Sequence, residues 1–182
     1  MAEIFLLVVL GISLGVLFWQ ASLLISAIFG APTVHTQKSA IIKAYKLADL
    51  KKGEVVLDLG CSDAGTLIYG AKEFGAKGIG IEISPFYFIK AKLNVALSRQ
   101  KKQIKIIFGD FKKHSGLFRR ADVIYLYLFP KILKEIEEEL FSQLRPKARI
   151  VTIGFQFANH RANSKTSIVN CNRKSFAYLY KI

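Results

Sequence analysis

Three carboxylates stand where apolar strand patterns end. Asp58 lies in the run Val55-Val56-Leu57-Asp58-Leu59, Glu82 follows Ile79-Gly80-Ile81, and Asp110 follows Ile104 to Phe108. An acid inside or beside a buried strand is uncommon, and three in succession point to a shared ligand edge. Each has a chemistry available to it. Asp58 can order the small-residue turn behind it and accept from a polar or cationic group. Glu82 can accept from both hydroxyls of a ribose, and Asp110 from an exocyclic amine such as adenine N6. The turn Gly60-Cys61-Ser62-Asp63-Ala64-Gly65 follows Asp58 directly and leads into a helical pattern. A strand, an acid, a tight turn and a helix N-terminus together describe a nucleotide-type site at the tip of a parallel sheet.

The elements that position these groups follow from periodicity. Strands are predicted over 54–59, 79–83, 104–108, 122–128 and 149–155. Helices are predicted from a Thr36 cap to about Ala48, over 64–74, from Ser84-Pro85 to about Arg99, and from Pro130 through Leu144. Two β-rich runs, 167–171 and 176–180, meet at an Asn172-Arg173-Lys174 turn. Alternating strands and helices predict an α/β fold: a Rossmann-like, doubly wound, mainly parallel sheet with a C-terminal antiparallel hairpin at one edge.

The N-terminal segment differs in kind. From Ile4 to Phe29 there is no charged residue, a run of 26 residues. As a helix it is roughly 39 Å long, enough to cross a bilayer with tilt. It lacks the basic start of a secretory signal and is too long for one. One transmembrane helix is therefore expected ahead of the α/β domain, with residues 1–30 as anchor, 31–37 as connector and 38–182 as the domain. Every Lys and Arg lies after residue 37, and the net charge is +14. The positive-inside rule then puts the domain in the cytoplasm of a single-pass membrane protein. The charge suits the anionic lipid surface beside the anchor, and with no Arg-rich arm nucleic acid is not the expected partner. Cys61 and Cys171 make neither a disulfide framework nor a zinc site, and His35, His114 and His160 have no metal-spaced or triad partners, so no metal is expected.

Three motifs carry a family resemblance: Asp58-Leu59-Gly60-Cys61-Ser62-Asp63, Gly80-Ile81-Glu82 and Phe108-Gly109-Asp110. They resemble those of the seven-strand (class I) S-adenosylmethionine-dependent methyltransferases, over roughly residues 33 to 160. Pro32-Thr33-Val34-His35-Thr36, and Asp122-Val123-Ile124-Tyr125-Leu126-Tyr127-Leu128-Phe129-Pro130, resemble a narrower group, the membrane-associated protein-lysine methyltransferases of the ATP synthase c-subunit type. The resemblance implies S-adenosylmethionine as cofactor, held by Asp58, Gly60, Ser62, Asp63, Glu82 and Asp110. It implies a catalytic strand-four motif with Tyr125, Tyr127 and Pro130, and a protein substrate in or near the membrane. The chain departs from the family loop at Ser62 and Ala64, which stand where glycines belong.

Methyl transfer to lysine needs a desolvated, aligned amine, and Tyr125, Tyr127 and Phe129 are expected on one face of strand four as walls of such a pocket. Other readings are a methyltransferase for a small molecule, lipid or nucleic acid, a non-catalytic cofactor-binding module, and a dinucleotide oxidoreductase reading residues 60–65 as a variant G-x-G-x-x-G. A hydrolase is excluded, because no acid and histidine follow the turn at strand ends.

Overall fold

A computed structural model describes residues 1–28, 36–170 and 172–182. The Pro32–His35 part of the connector and Cys171 lie outside the described residues. The helix α1 (Ala2–Ile28) carries no charge after Glu3, and residues 1–21 are all exposed.

The domain alternates as its periodicity requires: α2 (Lys38–Leu47), β1 (Val55–Leu59), α3 (Gly65–Phe74), β2 (Lys77–Glu82), α4 (Pro85–Leu97), β3 (Ile104–Phe108), β4 (Val123–Leu126), α5 (Pro130–Gln143), β5 (Arg149–Ile153), β6 (Ser164–Asn170) and β7 (Arg173–Lys181). One seven-stranded sheet has the order β3-β2-β1-β4-β5-β7-β6. The first five strands are parallel, and β7 runs antiparallel to both β5 and β6. Consecutive side chains serve opposite faces. Val56, Val123, Tyr125 and Val151 pack with α2, α3 and α4, while Leu57, Ile124, Leu126 and Ile150 pack with α5. The doubly wound expectation therefore holds. The strand order reverses between β1 and β4, and that switch point is where ligands enter such sheets.

The local departures have local causes. β4 stops at Leu126 rather than Leu128, because Phe129 takes the N-cap position and Pro130 starts α5. Thr36 does not cap α2. Gln37 holds that position without a side-chain cap, and its N–H donates instead to Asn170 Oδ1 at 2.8 Å. A 3₁₀ segment, Phe111–Arg120, which the periodicity did not foretell, bridges β3 and β4. β6 ends at Asn170 and β7 begins at Arg173, so both strands start earlier than expected.

Candidate active site

The loop after β1 is built by backbone geometry. Gly60 N–H and Cys61 N–H both donate to Ile81 O, at 2.9 and 3.0 Å, which folds the chain back across β2. Gly60, Ser62 and Ala64 all have positive φ, at 83°, 49° and 63°. Only glycine enters this region freely, so Ser62 and Ala64 hold strained backbone where the family loop has glycine. The close approach needs a bare strand beneath it. Gly80 is the β2 partner of Asp58, and a Cβ there would lie 2.5 Å from Cys61 Sγ. Cys61 is thus a buried packing residue, and burial pushes its thiol well above the usual range.

The acids gather at one edge. Asp58 is 4% exposed, and among the described residues only Thr66 Oγ1 donates to it. Burial raises its carboxyl to about 7; the Thr66 hydrogen bond opposes this, and the charges of Glu82 and Asp63 add to it. Glu82 is also buried. Its two oxygens accept from Ser62 N–H and Ser84 N–H, both at 2.8 Å, so it ties the loop after β1 to the start of α4. Burial raises it too, against those backbone bonds. Asp63 turns its carboxylate to Gly65 N–H at 3.1 Å and toward Lys90 Nζ at 3.8 Å. Asp110 sits across from them after β3 and caps the 3₁₀ segment through Lys112 N–H at 3.0 Å. The structure therefore brings Asp58, Gly60, Ser62, Asp63, Glu82 and Asp110 to the carboxyl ends of three adjacent strands.

The expected aromatic face divides. Tyr125 is 1% exposed, its ring edge-on to Tyr45 at 5.7 Å, and its hydroxyl is buried beside the Thr36 side chain without a well-formed hydrogen bond. This is a core residue, not a pocket wall. Tyr127 lies beyond the end of β4 and is half-buried, with its hydroxyl 3.5 Å from Asn170 Nδ2. Its ring edge lies close over Gly154, whose φ of 80° also favours glycine. Phe129 does not continue the row: strand alternation ends at Leu126, and the Phe129 ring meets Phe155 at 6.0 Å instead. Pro130 is exposed at the first position of α5.

Sequence reasoning missed Glu137. This carboxylate is inaccessible to solvent and accepts from Ala158, Asn159 and His160 N–H and from the His160 ring. It pins the loop after β5. Burial alone would raise its pKa, but His160 and the three amides together hold it below the ordinary value. Its place on the buried stripe of α5 with Leu133 and Leu140 was the available signal.

Acids at the ends of β1, β2 and β3, a glycine-first loop and a reversed seventh strand define a class I S-adenosylmethionine-dependent methyltransferase. The chain belongs to the family described as the ANTKMT methyltransferase domain, whose model matches residues 58–164. It is similar to a protein-lysine N-methyltransferase of Saccharolobus islandicus, 24% identical over 83% of this chain and 93% of that protein. It is also similar to the ATP synthase c-subunit lysine N-methyltransferase of Xenopus laevis, 23% identical over 70% of this chain, which spans only 54% of that protein. Among solved structures, an RNA methyltransferase from Salinibacter ruber in complex with S-adenosyl-L-homocysteine is 28% identical, with a TM-score of 0.74 over 82% of this chain and 94% of that one. S-Adenosylmethionine is the cofactor. The residues present fit it: the bare backbone at Gly60 leaves room, and Asp58 retains acceptor capacity beyond Thr66.

Proposed function

We propose that this chain is a membrane-anchored protein-lysine N-methyltransferase, with residues 1–30 as anchor, 31–37 as connector and 38–182 as the catalytic domain facing the cytoplasm. The observation that carries the reading is the row of three strand-end acids beside Tyr127, in a family whose relatives are named for lysine methylation. The membrane half of the proposal rests on α1, which is long and apolar enough to span, and on the basic residues that follow it.

S-Adenosylmethionine supplies an electrophilic methyl on a sulfonium. Asp58 accepts from the cofactor's ammonium end, Glu82 from its ribose hydroxyls and Asp110 from the adenine amine. Ser62 and Asp63 shape the loop around it. Tyr127 forms the wall that desolvates and aligns the substrate amine, with Pro130 fixing the turn behind it. Desolvation lowers the lysine pKa so that the neutral amine is presented in line, and positioning then supplies much of the rate. The burial of Tyr125 supports a packing role for it.

Incubating membranes with methyl-labelled S-adenosylmethionine and the enzyme tests this. Label in a protein band, recovered as methyl-lysine, is the expected result. A second reading has its own support in the likeness to an RNA methyltransferase and the charge of +14. Label in the RNA fraction instead of protein is what that reading requires.

A further inference from the structure

From Pro85 to Gly109 the chain has six basic residues and no acid. This stretch is α4 and β3, and among the described residues β3 is an edge strand with no neighbour on its outer side. Ile89, Leu93 and Leu97 recur every fourth residue along α4 and are 49%, 58% and 81% exposed. That spacing puts them in one row on a single helix face. Beside them lies an open groove of about 780 Å³, floored by Val95, Ile104 and Ile106 and edged by Lys92, Lys101, Lys102 and Lys105. An exposed apolar row edged by lysines is the composition of a helix that lies in a lipid interface.

The position of α1 selects the occupant. Ser22, near the end of that helix, is buried and accepts a hydrogen bond from Phe86 N–H, in the first turn of α4, at 3.3 Å. The membrane-spanning segment therefore leaves the domain at the very helix that carries the apolar row. A helix of 13 residues is about 20 Å long, so the whole row lies close to where the chain enters the bilayer. We propose that the α4–β3 face is a lipid-docking surface, whose apolar row enters the interface of an anionic leaflet while Lys92, Lys101, Lys102 and Lys105 meet its headgroups. This rests on the anchored reading of α1 and goes beyond it, because it fixes which side of the domain lies down.

The full chain, reconstituted into vesicles whose acyl chains carry bromine, tests the surface by contact quenching of tryptophan. Trp19 in α1 reports anchoring in the native protein. In a Trp19→Phe background, Leu93→Trp reports the proposed face and Lys134→Trp, on α5 across the sheet, reports the opposite one. In phosphatidylcholine–phosphatidylglycerol vesicles Leu93→Trp is expected to be quenched and Lys134→Trp not. Each near-surface lysine is worth roughly fivefold, so adding Lys101→Ala, Lys102→Ala and Lys105→Ala should shift the docked-to-lifted ratio by about 100-fold and relieve the quenching. Equal quenching of Leu93→Trp and Lys134→Trp, with Trp19 itself quenched, overturns the docking face and leaves the anchor standing. A blue-shifted but unquenched Leu93→Trp signal overturns it in favour of a protein partner or a second copy of the chain.

Discussion

Asp58 should make cofactor binding a proton-linked event. Its carboxyl is raised to about 7, first by burial and then by the charges of Glu82 and Asp63, with Thr66 pulling the other way. A cationic group can pair only with the ionised form, so below about pH 7 binding must first expel the proton. The affinity for S-adenosylmethionine should then fall by up to tenfold per pH unit, roughly 16-fold between pH 7 and pH 5.5, and level off above. Glu82 is raised as well and adds its own slope, so Asp58→Asn is the comparison that isolates Asp58. Calorimetry at pH 6 in buffers of different ionisation enthalpy should count about one proton released by the wild type and less by the variant. The cofactor-free protein should show the opposite effect. An acid raised on folding binds more protons folded than unfolded, so its contribution to stability falls as pH rises from about 4 to 7 and is constant above. Three units correspond to a ceiling of about 4 kcal/mol. Asp58→Asn should therefore melt higher than the wild type at pH 8 while binding cofactor more weakly. Equal pH slopes in the two proteins, or no proton release, would refute the reasoning.

Other perturbations have equally definite signs. Glu137→Ala leaves three amides of the 158–160 loop without their acceptor and should cost about 3 kcal/mol, lowering Tm by roughly 6–12 °C and speeding hydrogen exchange at those amides. Because the Glu137 carboxyl lies below its ordinary value, its stabilisation is present above the unfolded pKa and lost as pH falls through the folded one, which acid titration of Tm in wild type and variant checks. Gly80→Ala drives a methyl into Cys61 and Leu67, and should cost about 1–3 kcal/mol and weaken cofactor binding in the same calorimetry. Ser62→Gly removes a non-glycine residue at φ 49° and should raise stability by about 0.5–1 kcal/mol in thermal melts.

Much of the site was legible because its signals are local. The acids at 58, 82 and 110 end apolar runs, and Ser84-Pro85 announces α4, where the Ser84 hydroxyl does accept from Tyr87 N–H. What escaped depends on tertiary context. Glu137 reads as one of four helix-surface glutamates until the loop after β5 closes over it. Tyr125 and Tyr127 look equivalent in the strand-four motif. The early end of β4 and the Thr36 segment bury the first and leave the second half-buried beyond the strand end. The Phe111–Arg120 segment is short of apolar residues, and it folds as 3₁₀ turns interrupted at His114 around a single buried ring, Phe118. The strain at Ser62 and Ala64 was visible as a departure from glycine, but its form, left-handed backbone held at Ser62 N–H by Glu82 and at Ala64 N–H by Cys61 O, was not.

The strand-end acids are expected to hold S-adenosylmethionine so that its methyl reaches a lysine amine. Mass spectrometry of membrane proteins after incubation with isotopically labelled cofactor tests it most directly, comparing wild type with Asp58→Asn and Tyr127→Phe. Labelled methyl-lysine in a protein at the membrane, sharply reduced in both variants, is the expected result. Labelled RNA with no labelled lysine, or lysine labelling that survives both substitutions, would contradict it.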